Sequence, residues 1–314
     1  MLNLQKENLQ VRQNWKFSSS NKTRGFLYLV FLFSTGIIFA QSEIEKDGLW
    51  TKGGTINVLF NQANFGEWLG GGTNSFNGIV NLDYELHRLE EKWDWTTTFD
   101  ASLGFSKTES SNFYKKTVDH FELNSVFIRK KTNPWSFSTS TNIKSQWVAG
   151  YEFSEGSTGE EIKNKTTAFF SPLYARIGVG ITYKKTRSFS LQIEPVTARL
   201  IYVGSQFTDN LATGETFFGV APNEQTRFEM GLSIAAQGKW PLFPNVILNN
   251  KINLISNYLK EFKNFDLDYT MGIDMKINNF MSAQFELQLL YDDNAIAKIQ
   301  TRQVFGVSLS LIHI

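Results

Sequence analysis

The chain has no cysteine. That excludes a disulfide framework, a thiol nucleophile and a thiolate metal site. Three histidines, His87, His120 and His313, are too few for a histidine-rich metal cluster. No G-x-S-x-G elbow occurs, so the commonest serine-hydrolase signature is missing. Only six prolines are present and no Pro- or Ser-rich linker divides the chain, which reads as one domain. Neither sign of charge dominates: of 31 basic and 30 acidic residues, five basic and one acidic precede Gln41, leaving a formal charge of −3 beyond it. Nucleic-acid binding would need a basic excess, so no nucleic-acid partner is expected. Beyond residue 50 no apolar run is long enough for a spanning helix.

The one long apolar run lies near the start. Lys22 and Arg24 precede an apolar core at 25–39, and Ala40 follows. A basic flank, a short apolar core and a small residue describe a secretory signal peptide. Residues 1–40 are therefore expected to be a signal peptide with a long leader or a mis-called start, and 41–314 the mature domain.

What the mature chain has is alternation. In "FDLDYTMGIDMKI" one face carries Phe265, Leu267, Tyr269, Met271, Ile273, Met275 and Ile277, and the other Asp266, Asp268, Thr270, Gly272, Asp274 and Lys276. "MSAQFELQLLY" and "WDWTTTFDASLGF" repeat the pattern. Period two means strands with one apolar and one polar face. Twelve such segments are expected, at about 54–62, 73–88, 92–107, 117–131, 134–148, 168–185, 187–202, 225–239, 245–260, 263–278, 280–292 and 301–314. Short connections (89–91, 132–133, 185–187, 240–244, 279) alternate with long ones, the longest at 149–167 and 203–224. The connection after the ninth segment is a short exception.

Even strand number, alternating loop length and an all-antiparallel pattern describe a closed up-and-down transmembrane β-barrel of about 12 strands. The cause is the solvent: in hydrocarbon every backbone polar group must be paired within the protein, and a closed barrel does this. Trp93, Trp95, Trp135, Trp240 and Tyr183 fall near short turns, and Trp147, Tyr258 and Tyr291 near long loops, as aromatic girdles do. The last segment, "QVFGVSLSLIHI", is similar to the terminal strand read by the barrel-insertion machinery, which would be a partner during biogenesis. It ends in Ile314 rather than an aromatic. Outer-membrane lipid and lipopolysaccharide are the other expected partners, in the cell outer membrane, and no cofactor is expected.

Several stretches together resemble a known family: "W..GG" (Trp50, Gly53, Gly54), "NQANFGEWLGGGTNSFNG", Trp93 with Trp95, "KKTVDHFELNS", "QWVAGY", "FFSPLY", "EPVT" and "LLYDDN". They are similar to the Bacteroidetes outer-membrane proteins catalogued as domain of unknown function 3078. The resemblance implies an outer-membrane barrel and carries no assigned activity. Where that family has a second acid at the start of the fourth strand, this chain has His120.

If the apolar faces meet lipid, the polar faces line a lumen of mixed charge. Its expected network comprises Asp100, Glu122, Lys144, Arg176, Arg227, Glu229, Lys251, Asp268, Asp274, Lys276 and Glu286, with Asp83, Glu85 and Asp266 beside them. The plain reading is a salt-bridged filling that braces the wall. The sharper one is a narrow pore, which would need a lopsided ring of charge. In the first outside loop, Phe65 and Trp68 beside Gly70, Gly71 and Gly72 could anchor at headgroup level or fold inward as a plug; the plug is slightly preferred. Carboxylates near the outer rim (Asp119, Asp292, Asp293, Glu152, Glu155, Glu160, Glu161) are either solvated or a cation site touching lipopolysaccharide. In "SLQIEPVTARL" the alternation slips at Glu194–Pro195, which signals a bulge that could narrow the pore; Pro172 marks another bulge or strand end. The leading functional expectation is a non-enzymatic envelope barrel, structural or an accessory subunit of a complex. The alternatives are a loop-plugged channel for small solutes or ions, and a lipid-modifying enzyme in which His120 would be the histidine to examine.

Overall fold

A computed structural model of the chain describes residues 46–47, 50–65, 73–130, 134–157, 159–186, 188–259, 265–292 and 298–313. Its strands are β1 (Lys46–Asp47), β2 (Trp50–Ala63), β3 (Ser75–Leu89), β4 (Trp93–Thr108), β5 (Lys115–Arg129), β6 (Trp135–Ser145), β7 (Gly150–Glu155), β8 (Glu161–Thr167), β9 (Leu173–Thr186), β10 (Phe189–Tyr202), β11 (Thr226–Phe243), β12 (Val246–Asn257), β13 (Phe265–Lys276), β14 (Met281–Tyr291) and β15 (Gln300–His313).

Twelve of these form one antiparallel sheet in the order β2-β15-β14-β13-β12-β11-β10-β9-β6-β5-β4-β3, and β3 pairs back onto β2 to close it. The chain is thus a closed twelve-stranded transmembrane barrel. β2 rises from the short-turn end and β15 returns to it, so both termini of the barrel lie there. Of the remaining strands, β1 pairs with the first residues of β2, while β7 and β8 form a separate hairpin inside the long β6–β9 connection.

Burial is inverted relative to a water-soluble domain. Val80, Phe137, Ile177, Val179, Phe228 and Phe305 are exposed, while Glu194, Glu229, Thr197, Ser140 and Ser233 are among the most buried side chains. An apolar exterior of this extent belongs in hydrocarbon. At the short-turn end aromatic rings meet on the outer wall: Trp50 with Trp95 (5.4 Å), Trp93 with Phe127 (4.9 Å) and Trp135 with Tyr183 (5.1 Å). Rings with one apolar and one polar edge settle at the headgroup boundary.

The slip at Glu194–Pro195 is a bulge. β10 changes register between Glu194 and Thr197 against β11 and between Ile193 and Val196 against β9. The extra residue keeps Val196 and Leu200 on the lipid side and Thr197 and Arg199 inside. Gly180 faces it across β9, where a Cβ would fall 2.0 Å from the Ile193 carbonyl oxygen. Pro172 stands immediately before β9, which begins at Leu173 rather than at 168.

Two expectations are corrected. Residues 240–243 were expected in a turn, yet β11 runs on through Trp240 and Pro241 to Phe243. Lys239 is the last β11 residue to donate toward β10, to Ser188 O (2.8 Å). Two residues on, Pro241 would donate toward the same side, past the start of β10 at Phe189, so its missing N–H costs no ladder bond there. The 149–167 connection was expected only as a long loop; it holds the β7–β8 hairpin.

Candidate functional site

The inward faces of the twelve strands enclose the candidate site. Opposite walls are tied by ion pairs. Lys144 Nζ on β6 lies 2.6 Å from Asp268 Oδ2 on β13, with β12, β11, β10 and β9 between them in the wall. Lys251 Nζ on β12 lies 3.1 Å from Glu122 Oε2 on β5, again across the interior. Neutral donors complete both acceptors: Asn142 Nδ2 to Glu122 (2.6 Å) and Gln288 Nε2 to Asp268 (2.8 Å). Near the short-turn end Lys184 on β9 reaches Asp94 on β4 (3.0 Å), whose other oxygen meets His87 (2.9 Å).

A second group lines β9 to β13. Arg199 sits between Glu229 and Asp266, Arg227 pairs with Glu229 (2.8 Å), and Arg176 donates to Ser233 Oγ (2.7 Å). Glu286 is held by Arg302, an inward residue that sequence reading did not single out although its parity marks it. Asp274 accepts from Asn249 (2.6 Å). Asp100 is the Cα partner of Asp83 across β3 and β4, so two carboxyls share one place on the wall. Lys276 is exposed at the short-turn rim. There Asn57, Phe243, Asp274, Lys276 and Phe280 border a cavity of about 750 Å³.

Not all of the lining is polar. Leu59, Ile79 and Val118 are buried together inside the barrel, with Val304 packed on them. Gly104 lies against Ile79 and Val118, and Gly306 against Leu59. This patch was missed because each of its residues interrupts an otherwise polar face singly.

At the outer mouth the β10–β11 connection packs onto the wall. Val203 and Val220 pack with inward-facing Ile201, and Tyr174, Phe207, Phe217 and Phe218 close around them. Phe207 stacks on Phe217 at 5.0 Å, and Arg227 donates to Gly219 O (3.0 Å). Tyr174 spans toward Asp292 at 3.5 Å. The sequence pointed to the first outside loop instead. Of that loop Phe65 is exposed and its N–H donates to Asn74 Oδ1 (2.6 Å), while Trp68, Gly70, Gly71 and Gly72 lie outside the described residues.

The rim carboxylates do not converge. Asp119 accepts from the Trp147 and Val148 N–H groups (2.8 and 3.0 Å) and from Lys116 (2.9 Å). Glu161 takes Lys115 (2.6 Å), Ser111 Oγ (3.0 Å) and the Asn112 N–H (3.0 Å). The Lys115 hydrogen bond, joined by those from Asn112 and Ser111, holds the Glu161 carboxyl below its ordinary range. Asp293 lies outside the described residues. Among the described residues no three His, Cys, Asp or Glu side chains are grouped to hold a metal. His120 faces inward two places from Glu122, with Ser102 as its Cα partner on β4; the Ser102 hydroxyl donates to Asn81 (2.7 Å).

Solved structures of similar shape are outer-membrane barrels. The translocator domain of the autotransporter NalP from Neisseria meningitidis is 10% identical, with 92% of this chain and 98% of that one covered and a TM-score of 0.35. The COG4313 outer membrane channel from Pseudomonas putida F1 is 8% identical (87% and 98% covered, TM-score 0.37). Outer membrane phospholipase A from Escherichia coli is 11% identical (82% and 95% covered, TM-score 0.34). At such identities and scores these likenesses say nothing about activity. No curated protein matches the chain. Residues 60–151, from the end of β2 into β7, match the family described as "Protein of unknown function (DUF3078)", so the resemblance read from the sequence holds over that stretch.

Proposed function

We propose that the chain is a non-enzymatic outer-membrane barrel with a closed interior, serving as a structural element or accessory subunit of an envelope complex. The observation that carries this reading is the pair of ties between opposite walls, Lys144–Asp268 and Lys251–Glu122. A conducting pore rings its constriction with charge and leaves the axis open. Here the side chains of facing walls meet, and the β10–β11 connection packs into the outer mouth. The exterior would contact lipid and lipopolysaccharide.

A plugged channel is the second reading, favoured by the cavity at the short-turn mouth. Planar-bilayer recording separates the two. The closed-barrel reading expects a flat trace from the intact protein, and still a flat trace after deletion of 205–224. Steady conductance from the intact protein would refute it. Current that appears only in the deletion would replace it with the plugged channel. The accessory role is checked by purifying the native protein in mild detergent, where a stoichiometric envelope protein should co-purify.

A further inference from the structure

One seam of the barrel is shorter than the others. β2 pairs with β3 over its whole length, from Trp50–Arg88 to Ala63–Ser75. β15 pairs with β14 from Leu290–Gln300 to Met281–Leu309. Between themselves, β2 and β15 pair only from Thr55–His313 to Leu59–Ser308, with a register shift between Ser310 and Ile312. Among the described residues, 60–63 of β2 and 300–307 of β15 have no ladder partner in each other. Unpaired strand edges are costly in hydrocarbon.

What closes the seam there is a side chain. Leu59 lies against Gly306, where an added Cβ would stand 3.2 Å from Leu59 Cδ2. Leu59 also belongs to the apolar patch with Ile79, Val118 and Val304. This apolar patch on the inner wall therefore sits directly behind the stretch of wall that lacks backbone pairing. Outside, the seam is flanked by Phe60 and Phe305, 52% and 72% exposed, with Val307 beside them.

We propose that the outer half of the β2–β15 seam is a lateral entry through which a lipid acyl chain passes from the membrane to the Leu59–Ile79–Val118–Val304 patch, with Leu59 as its latch. The occupant follows from position: the seam's flanks are lipid-facing, and the molecules that bring a long apolar chain to that wall are lipids. Polar groups next to the patch, Asn81 and Ser102 on one inward row with His120, would meet the ester end of a chain drawn in. The inference is independent of whether the barrel is closed to water along its axis.

The test uses the full mature chain in phosphatidylcholine vesicles doped with a phosphatidylcholine bearing a diazirine midway along one acyl chain. After irradiation, labelled residues are mapped by peptide mass spectrometry. Label is expected on inward Ile79, Val118 or Val304 as well as on outward Phe60 and Phe305, and not on Thr197 or Ser233, inward on the opposite wall. Label confined to outward residues overturns the proposal, as does equal label on the opposite wall. Leu59→Ala leaves an apolar void of the kind that admits apolar molecules, and should raise the inward label roughly threefold or more. An unchanged inward label in a folded Leu59→Ala barrel removes the latch. If that variant does not fold, the map of the unaltered protein still decides.

Discussion

Removing one end of a wall-to-wall tie should destabilise the barrel, and removing both should largely restore it. The Lys144–Asp268 pair is the cleaner subject, because its ends lie on strands that share no hydrogen bonds. At 2.6 Å and an effective dielectric near 20, the attraction amounts to about 6 kcal/mol. Desolvation of the two charges offsets most of it, so the pair by itself contributes little net stability. The single variant behaves differently, since the surviving charge keeps its burial and loses its partner. A fully buried orphan costs about 3–5 kcal/mol. Here the side chains keep 33% and 21% of their exposure, and Gln288 still donates to Asp268. Lys144→Met or Asp268→Leu is therefore expected to cost about 2 kcal/mol, and the two together to fall within about 1 kcal/mol of the parent. The assay is reversible urea unfolding in detergent micelles, followed by tryptophan fluorescence, as a double-mutant cycle. A coupling below about 0.5 kcal/mol would mean that the two side chains do not meet across the interior. The closed-lumen reading would then lose its main support.

Deleting Pro195 removes the extra residue, and strict alternation then runs through Glu194, Val196, Thr197 and Arg199 with the pairing to β9 and β11 unbroken. Every side chain of β10 keeps its face, so the heat-modifiable folded band on an unboiled gel is expected to persist, and its loss would show that the bulge itself is required. Asp119→Ala leaves the Trp147 and Val148 N–H groups without their acceptor and takes the carboxylate from Lys116, which keeps only Gln146 Oε1 and the Val148 carbonyl oxygen. It should cost about 2–4 kcal/mol and speed protease cleavage in the β7–β8 hairpin. Glu161 supplies a pH dependence: its carboxyl is held below 4.5 in the folded protein. The hairpin contact it contributes is therefore complete above the ordinary glutamate range and lost as pH falls through the lowered value. Proteolysis of the hairpin should accelerate as pH falls from roughly 5 toward 3, and Glu161→Gln should flatten that dependence.

The wall was legible in the sequence because a barrel in lipid repeats one binary rule on every strand. β4 and β13 obey it without interruption, and at β10 even the exception was visible, since a slip in parity has few causes other than a bulge. β11 was misread beyond Lys239 because proline signals a turn wherever the neighbouring strand is assumed to continue. Whether β10 reaches that far depends on the stagger around the closed sheet, a property of closure rather than of local sequence. The same limit applies to the lumen. Parity placed Lys144, Lys251, Glu122 and Asp268 inside, yet which cation meets which carboxylate depends on strand tilt, and tilt is fixed only when β3 returns to β2. The β7–β8 hairpin went unread because its strands are short: Tyr151 and Phe153 on β7 and Ile162 on β8 are too few apolar residues to establish a period, and "EIKNKTT" is otherwise polar.

On the proposed closed reading the interior is obstructed by three means in three sectors, and they respond to different perturbations. Between the β5–β6 and β12–β13 walls the obstruction is ionic, so charge removal should loosen it. Over β9 to β11 it is the aromatic packing of Phe207, Phe217 and Phe218 on Ile201 and Tyr174, which charge removal leaves intact. Along β2 to β5 it is the aliphatic patch that also spans the short seam to β15. On that reading water needs the first two to yield together. An acyl chain needs only the third, and it approaches from the side. A barrel built this way can be tight to ions and still exchange apolar chains with the membrane, so a flat conductance trace and interior lipid labelling are compatible results for one molecule.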